Sequence, residues 1–181
     1  PEDAAILLDA IAGPDADDPS SLHHPLEPIA PRLRGDIKGY KIGILREVDL
    51  DVCHPDVARV FLAAKDVFQD LGCELVDVSV PEFRFGLDLC LTIAWAEAAH
   101  FHRRWLQTRP DDYGPDLVDL LASAAAYTAV DYLQAQQVRA KTRAAFRDVF
   151  REVDLLLTPT GPLPATPHGL ENVALGDRQA S

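Results

Sequence analysis

Asp154-Leu155-Leu156-Leu157-Thr158-Pro159-Thr160 is the stretch on which the fold turns. Three consecutive leucines leave no polar face, which predicts a strand covered on both sides, as in a parallel sheet. Pro159 closes it, because proline cannot donate to a strand ladder. Immediately upstream lies the longest helical pattern. Thr128 stands as its cap with Asp131 at the capping-box position, and Ala135, Val138, Thr142, Ala145, Phe146, Val149 and Val153 turn to one side before it ends near Glu152.

A parallel strand needs a partner, and Tyr40–Leu45 supplies one. Ile42 and Ile44 share a face, and Gly43 on the other is expected to let a helix approach closely. Pro55 and Asp56 open a helix in which Val57, Val60, Phe61, Ala64, Phe68 and Leu71 recur at helical spacing, and Gly72 ends it. Cys73–Val80 then alternates like a half-buried edge strand, so strand, helix and strand form a parallel crossover. The leucine strand is expected beside the Ile42 strand, both central. Leu87–Leu106 reads as a helix and Asp116–Ala126 as a weaker one, with Arg109–Gly114 as the turn between them. At the start, Pro1 to Ala12 predicts a short helix, with Pro1 at its first position and Ile6, Leu7, Ala10 and Ile11 on one face, stopped by Gly13-Pro14. Prolines 14, 19, 25, 28 and 31 make 13–38 an extended arm or a mobile loop, and four more from Pro159 to Pro167 predict an extended tail. The fold class is α/β: a short, mostly parallel sheet covered by helices. One domain, 1–181, divides into helix and proline-rich arm (1–38), strand–helix–strand (39–81), helices and core strand (87–160) and tail (161–181).

Composition narrows the function classes. A net charge of −12 over 181 residues disfavours nucleic acid or an anionic membrane as partner. No run has membrane-spanning length and no signal-peptide pattern opens the chain, so the expected location is the cytoplasm. Three scattered cysteines, Cys53, Cys73 and Cys90, form no metal or redox motif and read as buried thiols. Pro1 in place of methionine points to a processed or cut start.

Several side-chain groups could carry chemistry. Ser20-Ser21 with His23-His24 resembles a nucleophile and base, but sequence neighbours rarely meet that geometry and no glycine-rich oxyanion loop surrounds them, so a polar loop is the favoured reading. Glu97 and His100 are three apart on a helix, but His102 faces elsewhere, which disfavours a shared metal. Asp49 and Asp51 follow the first strand, where α/β folds place sites, yet loop acids are more often solvated. Arg139, Arg143, Arg147 and Arg151 stand four apart. They are either a solvated face or a docking face for an acidic surface. Glycine-rich phosphate loops are absent from the sequence.

The motifs in their order resemble the amidase signature family of serine-dependent hydrolases. Glu2–Asp15 with Asp18-Pro19-Ser20, Gly39–Ile44, Ala96-Glu97-Ala98, Arg109–Gly114, and Asp131-Tyr132-Leu133 through Arg139, Arg143, Phe146 and Phe150 to Asp154–Thr160 carry the likeness. The resemblance implies cleavage of a C–N amide bond through a serine acyl-enzyme, with no cofactor and no metal. It also implies a catalytic lysine and two serines in a glycine- and serine-rich stretch. The sequence holds no such stretch, so no catalytic residue is assigned here and the substrate-binding residues stay unknown. The chain is expected to be a middle piece of an amidase, contributing scaffold and pocket wall. Its implied partners are a small amide substrate in the intact parent and a complementary amidase half or a second copy; the alternative is a non-catalytic assembly module. In glutamine-acting relatives an arginine after the Tyr-Gly turn grips the substrate carboxylate, and Asp116–Leu120 carries no base, which disfavours that substrate class.

Overall fold

The computed structural model describes residues 2–18, 21, 23, 27–33, 35–169, 173–175 and 178–180. It separates into two compact units, 1–38 and 39–181. In the second, β1 (Lys41–Leu45), β2 (Glu74–Val78) and β3 (Leu155–Leu157) form a parallel sheet in the order β2-β1-β3. The leucine strand pairs with the Ile42 strand as expected, Ile42 opposite Leu155 and Gly43 opposite Leu156. Asp154 sets that register from both sides of one residue. Its amide donates to the Lys41 carbonyl at 2.9 Å, and its carboxylate accepts from the Lys41 amide at 2.8 Å.

Register divides the sheet into two faces, since paired residues point the same way. Gly43, Leu45, Val76, Val78 and Leu156 face α5 (Ala129–Val149), where Val80, Val149 and Val153 complete a core cluster with Phe83, Ala145 and Phe146 packed against it. Ile42, Ile44, Leu75, Leu155 and Leu157 occupy the other face. There α2 (Pro55–Asp70) brings Phe61, 7% exposed, toward Leu157. The leucine strand is not central, however. It forms an edge, and Leu155 is 51% exposed. Helix α2 links β1 to β2 and shields that side of the sheet, leaving Leu155 without cover among the described residues.

Helix ends follow their sequence signals. His54 caps α2, with Nδ1 accepting from the Asp56 amide at 3.2 Å, and Gly72 takes φ +85° just past its last turn. Val60 and Leu71, expected inward, are 57% and 52% exposed. Thr128 and Asp131 form the full capping box of α5: the Asp131 amide donates to the Thr128 hydroxyl, and the Asp131 carboxylate accepts from the Thr128 amide and hydroxyl. These two donors hold the Asp131 carboxyl below its usual range. Replacing Thr128 by alanine should lower stability by about 1 kcal/mol, read as a shift in the thermal midpoint, with serine restoring most of it.

Between these elements, α3 (Gly86–Thr108) and α4 (Pro115–Ser123) meet at the Arg109–Gly114 corner. There Arg109 pairs with Asp112, and the Tyr113 hydroxyl lies 2.9 Å from His102 Nδ1. The tail corrects another expectation. Although the prolines predict an extended segment, β4 (Val173–Leu175) and β5 (Arg178–Ala180) pair antiparallel.

In the first unit, α1 (Glu2–Ile11) buries Ala5, while Ile6, Leu7 and Ile11 are 52–71% exposed, so the expected apolar face is not buried. A unit of this size has too little material to close a core. Asp9 ties the helix to the arm: its carboxylate accepts from the Ile29 and Ala30 amides at 2.7 and 2.9 Å. Of the cysteines only Cys73 is buried; Cys53 is half-buried and Cys90 exposed, because Cys90 falls on the outer side of α3. No helix among the described residues is long and apolar enough to cross a membrane.

Candidate functional site

Two features place the leading candidate site. The chain leaves β1 for β2 on one side and returns to β3 on the other, so strand order reverses beside β1, the place where open α/β sheets bind ligands outside their carboxyl ends. At the carboxyl end of β3 lies an open crevice of about 400 Å³. Its walls are Val57, Val60, Phe61 and Ala64 of α2, facing Leu157 and the Thr158–Pro164 segment. The His54 amide donates to the Pro162 carbonyl at 2.8 Å and ties that segment to the start of α2. The lining is apolar apart from Asp56 and the two threonines, Thr158 and Thr160. It suits an apolar group; its one carboxylate, Asp56, is taken up by Arg59 at 3.1 Å, and it presents no serine, cysteine, lysine or histidine.

The candidates read from sequence fall in different places. Asp49 accepts from the Asp51 amide at 3.0 Å and caps a short 3-10 turn, so it has a structural task; both acids are exposed and neither lines the crevice. The Ser21 hydroxyl donates to the Asp15 carbonyl and accepts from its amide, while Ser20 and His24 lie outside the described residues. His23 is exposed. Glu97 and His102 make separate contacts, and no trio of metal-ligating side chains converges among the described residues.

Sequence reading missed two networks. Tyr132 of α5 donates to Glu97 of α3 at 2.7 Å and accepts from Gln136 at 2.8 Å, and its proton held by Glu97 pushes the phenol up. The two residues are 35 apart in sequence, so only the packing of α3 on α5 brings them together. Beyond the end of β1, Glu47 accepts from the Ser79 hydroxyl and, at 3.0 Å, from the Val80 amide. Burial pushes its carboxyl up, but these bonds and nearby Arg46 outweigh that and hold it below the usual range. A carboxyl with a depressed folded pKa contributes stability above the usual carboxylate range and loses it as pH falls through the depressed value. Glu47→Gln should therefore lower stability at neutral pH and flatten the acid limb of a stability-against-pH curve; an unchanged limb would remove Glu47 from this role.

Comparison with known proteins decides the family. The Amidase family model matches residues 2–180. The chain belongs to the Amidase family. It is 36% identical over 170 residues to an amidase of Pseudomonas putida, covering 94% of this chain and 36% of that protein. It is 35% identical over 187 residues to a glutamyl-tRNA(Gln) amidotransferase component from Synechococcus sp. (strain RCC307), covering 90% of this chain and 39% of the relative. Among solved structures, a vestigial protein complex bearing on the origins of an s-triazine catabolic enzyme matches with TM-score 0.82 and 29% identity over 99% of this chain and 38% of that one. This amidase-family chain thus spans somewhat more than a third of the length of the relatives it matches.

Proposed function

We propose that this chain is the scaffold portion of an amide hydrolase, supplying part of the sheet, its cover helices and one wall of the substrate pocket, while the nucleophile and its lysine reside on other residues of the parent. The observation behind this reading is the pairing of family membership over 2–180 with described serine hydroxyls that each donate to a backbone carbonyl or to Glu47. The parent would form an acyl-enzyme and release an amine or ammonia. The crevice favours an apolar acyl group. Acidic Asp116 and Asp119 in α4, with no base nearby in sequence, favour an amide without a carboxylate. Supplying the remaining portion of a close relative in trans should restore turnover, with neutral aryl or aliphatic amides preferred over glutamine; turnover confined to glutamine would reject the substrate assignment. A cytoplasmic location is in keeping with cysteines at 53, 73 and 90 that stand without a disulfide.

The second reading, an assembly module, draws on the exposed apolar residues. Ile6, Leu7 and Ile11 on α1 and Val60, Leu62, Val67 and Leu71 on α2 are at least 49% exposed. Surfaces of this kind drive association. The purified chain should bind a hydrophobic dye and self-associate as concentration rises, in sedimentation velocity. A dye-silent monomer at high concentration would count against both the scaffold reading and the assembly reading.

A further inference from the structure

Helix α5 carries a second surface that hydrolysis does not call on. Its buried side is Ala135, Val149 and the half-buried residues between them. Residues four apart advance about 6 Å along a helix and about 40° around it, so Arg139, Arg143 and Arg147 form a slanted row leading away from that side. All three are exposed, and none forms an ion pair among the described residues; Arg151, next in the row, pairs with Asp148 at 3.0 Å. Ala140 and Ala144 lie beside the row and leave a low floor between the guanidinium arms. Leu133 near one end is 59% exposed, and Phe150 near the other is 51% exposed.

A solvated face would more naturally alternate acids with bases at this spacing, because like charges four apart repel by a few tenths of a kcal/mol per pair. The row is also all arginine, with Lys141 off to another side. A guanidinium matches a carboxylate with two parallel hydrogen bonds, and arginine with aromatic anchors is the composition of binding hot spots. A phosphate backbone offers nothing to Leu133 or Phe150, whereas an amphipathic helix brings apolar side chains along with its carboxylates. We propose that the outer face of α5 docks an amphipathic acidic helix of a partner protein, its carboxylates four residues apart on Arg139, Arg143 and Arg147 and its apolar residues on Leu133 and Phe150. The proposal does not depend on the hydrolase reading, and its test contains no activity assay.

The probe is a fluorescein-labelled helical peptide with glutamates four apart flanked by leucines, titrated with the full chain and followed by anisotropy at low and high salt. Saturable binding is expected, weakened by salt and at least about tenfold by Arg143→Glu with Arg147→Glu. Phe150→Ala should weaken it several-fold, and the matching lysine peptide should gain affinity for the charge-reversed chain. Arg103→Glu with Arg104→Glu, on α3, should change little, and circular dichroism establishes that each variant is folded. Absence of saturation, equal loss from the α3 pair, indifference to charge reversal, or tighter binding of single-stranded DNA of equal charge would each overturn the proposal.

Discussion

Assayed alone on simple aryl and aliphatic amides, the chain is expected to show no turnover. Acyl transfer needs a nucleophile, a proton acceptor and oxyanion donors held within hydrogen-bonding reach, and together they account for rate gains of roughly a million-fold or more. The serines of the sequence are at 20, 21, 79, 123 and 181. Ser21 donates to the Asp15 carbonyl, Ser79 to Glu47 and Ser123 to the Leu120 carbonyl. Within their own units, Lys38 makes no hydrogen bond to Ser21, and Lys41, Lys65 and Lys141 make none to Ser79 or Ser123. No serine stands in a glycine-rich turn whose amides could hold an oxyanion. Adding a polypeptide that carries the family's lysine and serine pair should bring ammonia release from background to a readily measured rate. Ser21→Ala in this chain should then leave that rate nearly unchanged. Hydrolysis by the chain alone, abolished on changing Ser20 or Ser21, would move the active site here.

What is legible in the sequence and what is not divide along a physical line. The β1–α2–β2 crossover and α5 are readable because their signals are local: periodicity, Pro55 and Gly72 at the ends of one helix, Thr128 with Asp131 at the start of the other. The neighbouring placement of Ile42 and Leu155 is readable because both strands are short apolar runs suited to parallel pairing. Burial is not readable in the same way. Leu155, Val60 and Ile11 have the composition of core residues, yet their exposure depends on which other element lies over them. The Glu97–Tyr132 bond is invisible for the same reason, since it joins two helices whose contact no local pattern encodes. The arginine row is visible as spacing, but its bracketing by exposed Leu133 and Phe150 emerges only once the buried side of α5 is known.

Substituting Gly43 should cost stability where strand propensity promises the reverse. Valine is favoured in strands, so propensity alone predicts a gain. Gly43, however, is buried in the middle of the sheet, and a Cβ built there would lie 2.6 Å from Leu156 Cδ2, 3.1 Å from Val78 Cγ2 and 3.2 Å from Val153 Cγ2. The adjacent strands and the segment after α5 fill the space a side chain would take, so the glycine admits neighbouring side chains more than a helix backbone. Leu156 can swing its end away. Val78 and Val153 are branched at Cβ and hold their rotamers stiffly. Gly43→Ala should therefore destabilise by about 1–3 kcal/mol, the usual range for overpacking, and Gly43→Val by more. Chemical denaturation of Gly43→Ala, Leu156→Ala and the double variant forms the decisive cycle. If the clash with Leu156 dominates, the double variant should be more stable than the sum of the single changes predicts. Strict additivity would place the cost on Val78 and Val153 instead, and a stabilised Gly43→Ala would mean that β1 does not pack between its neighbours as closely as these distances require.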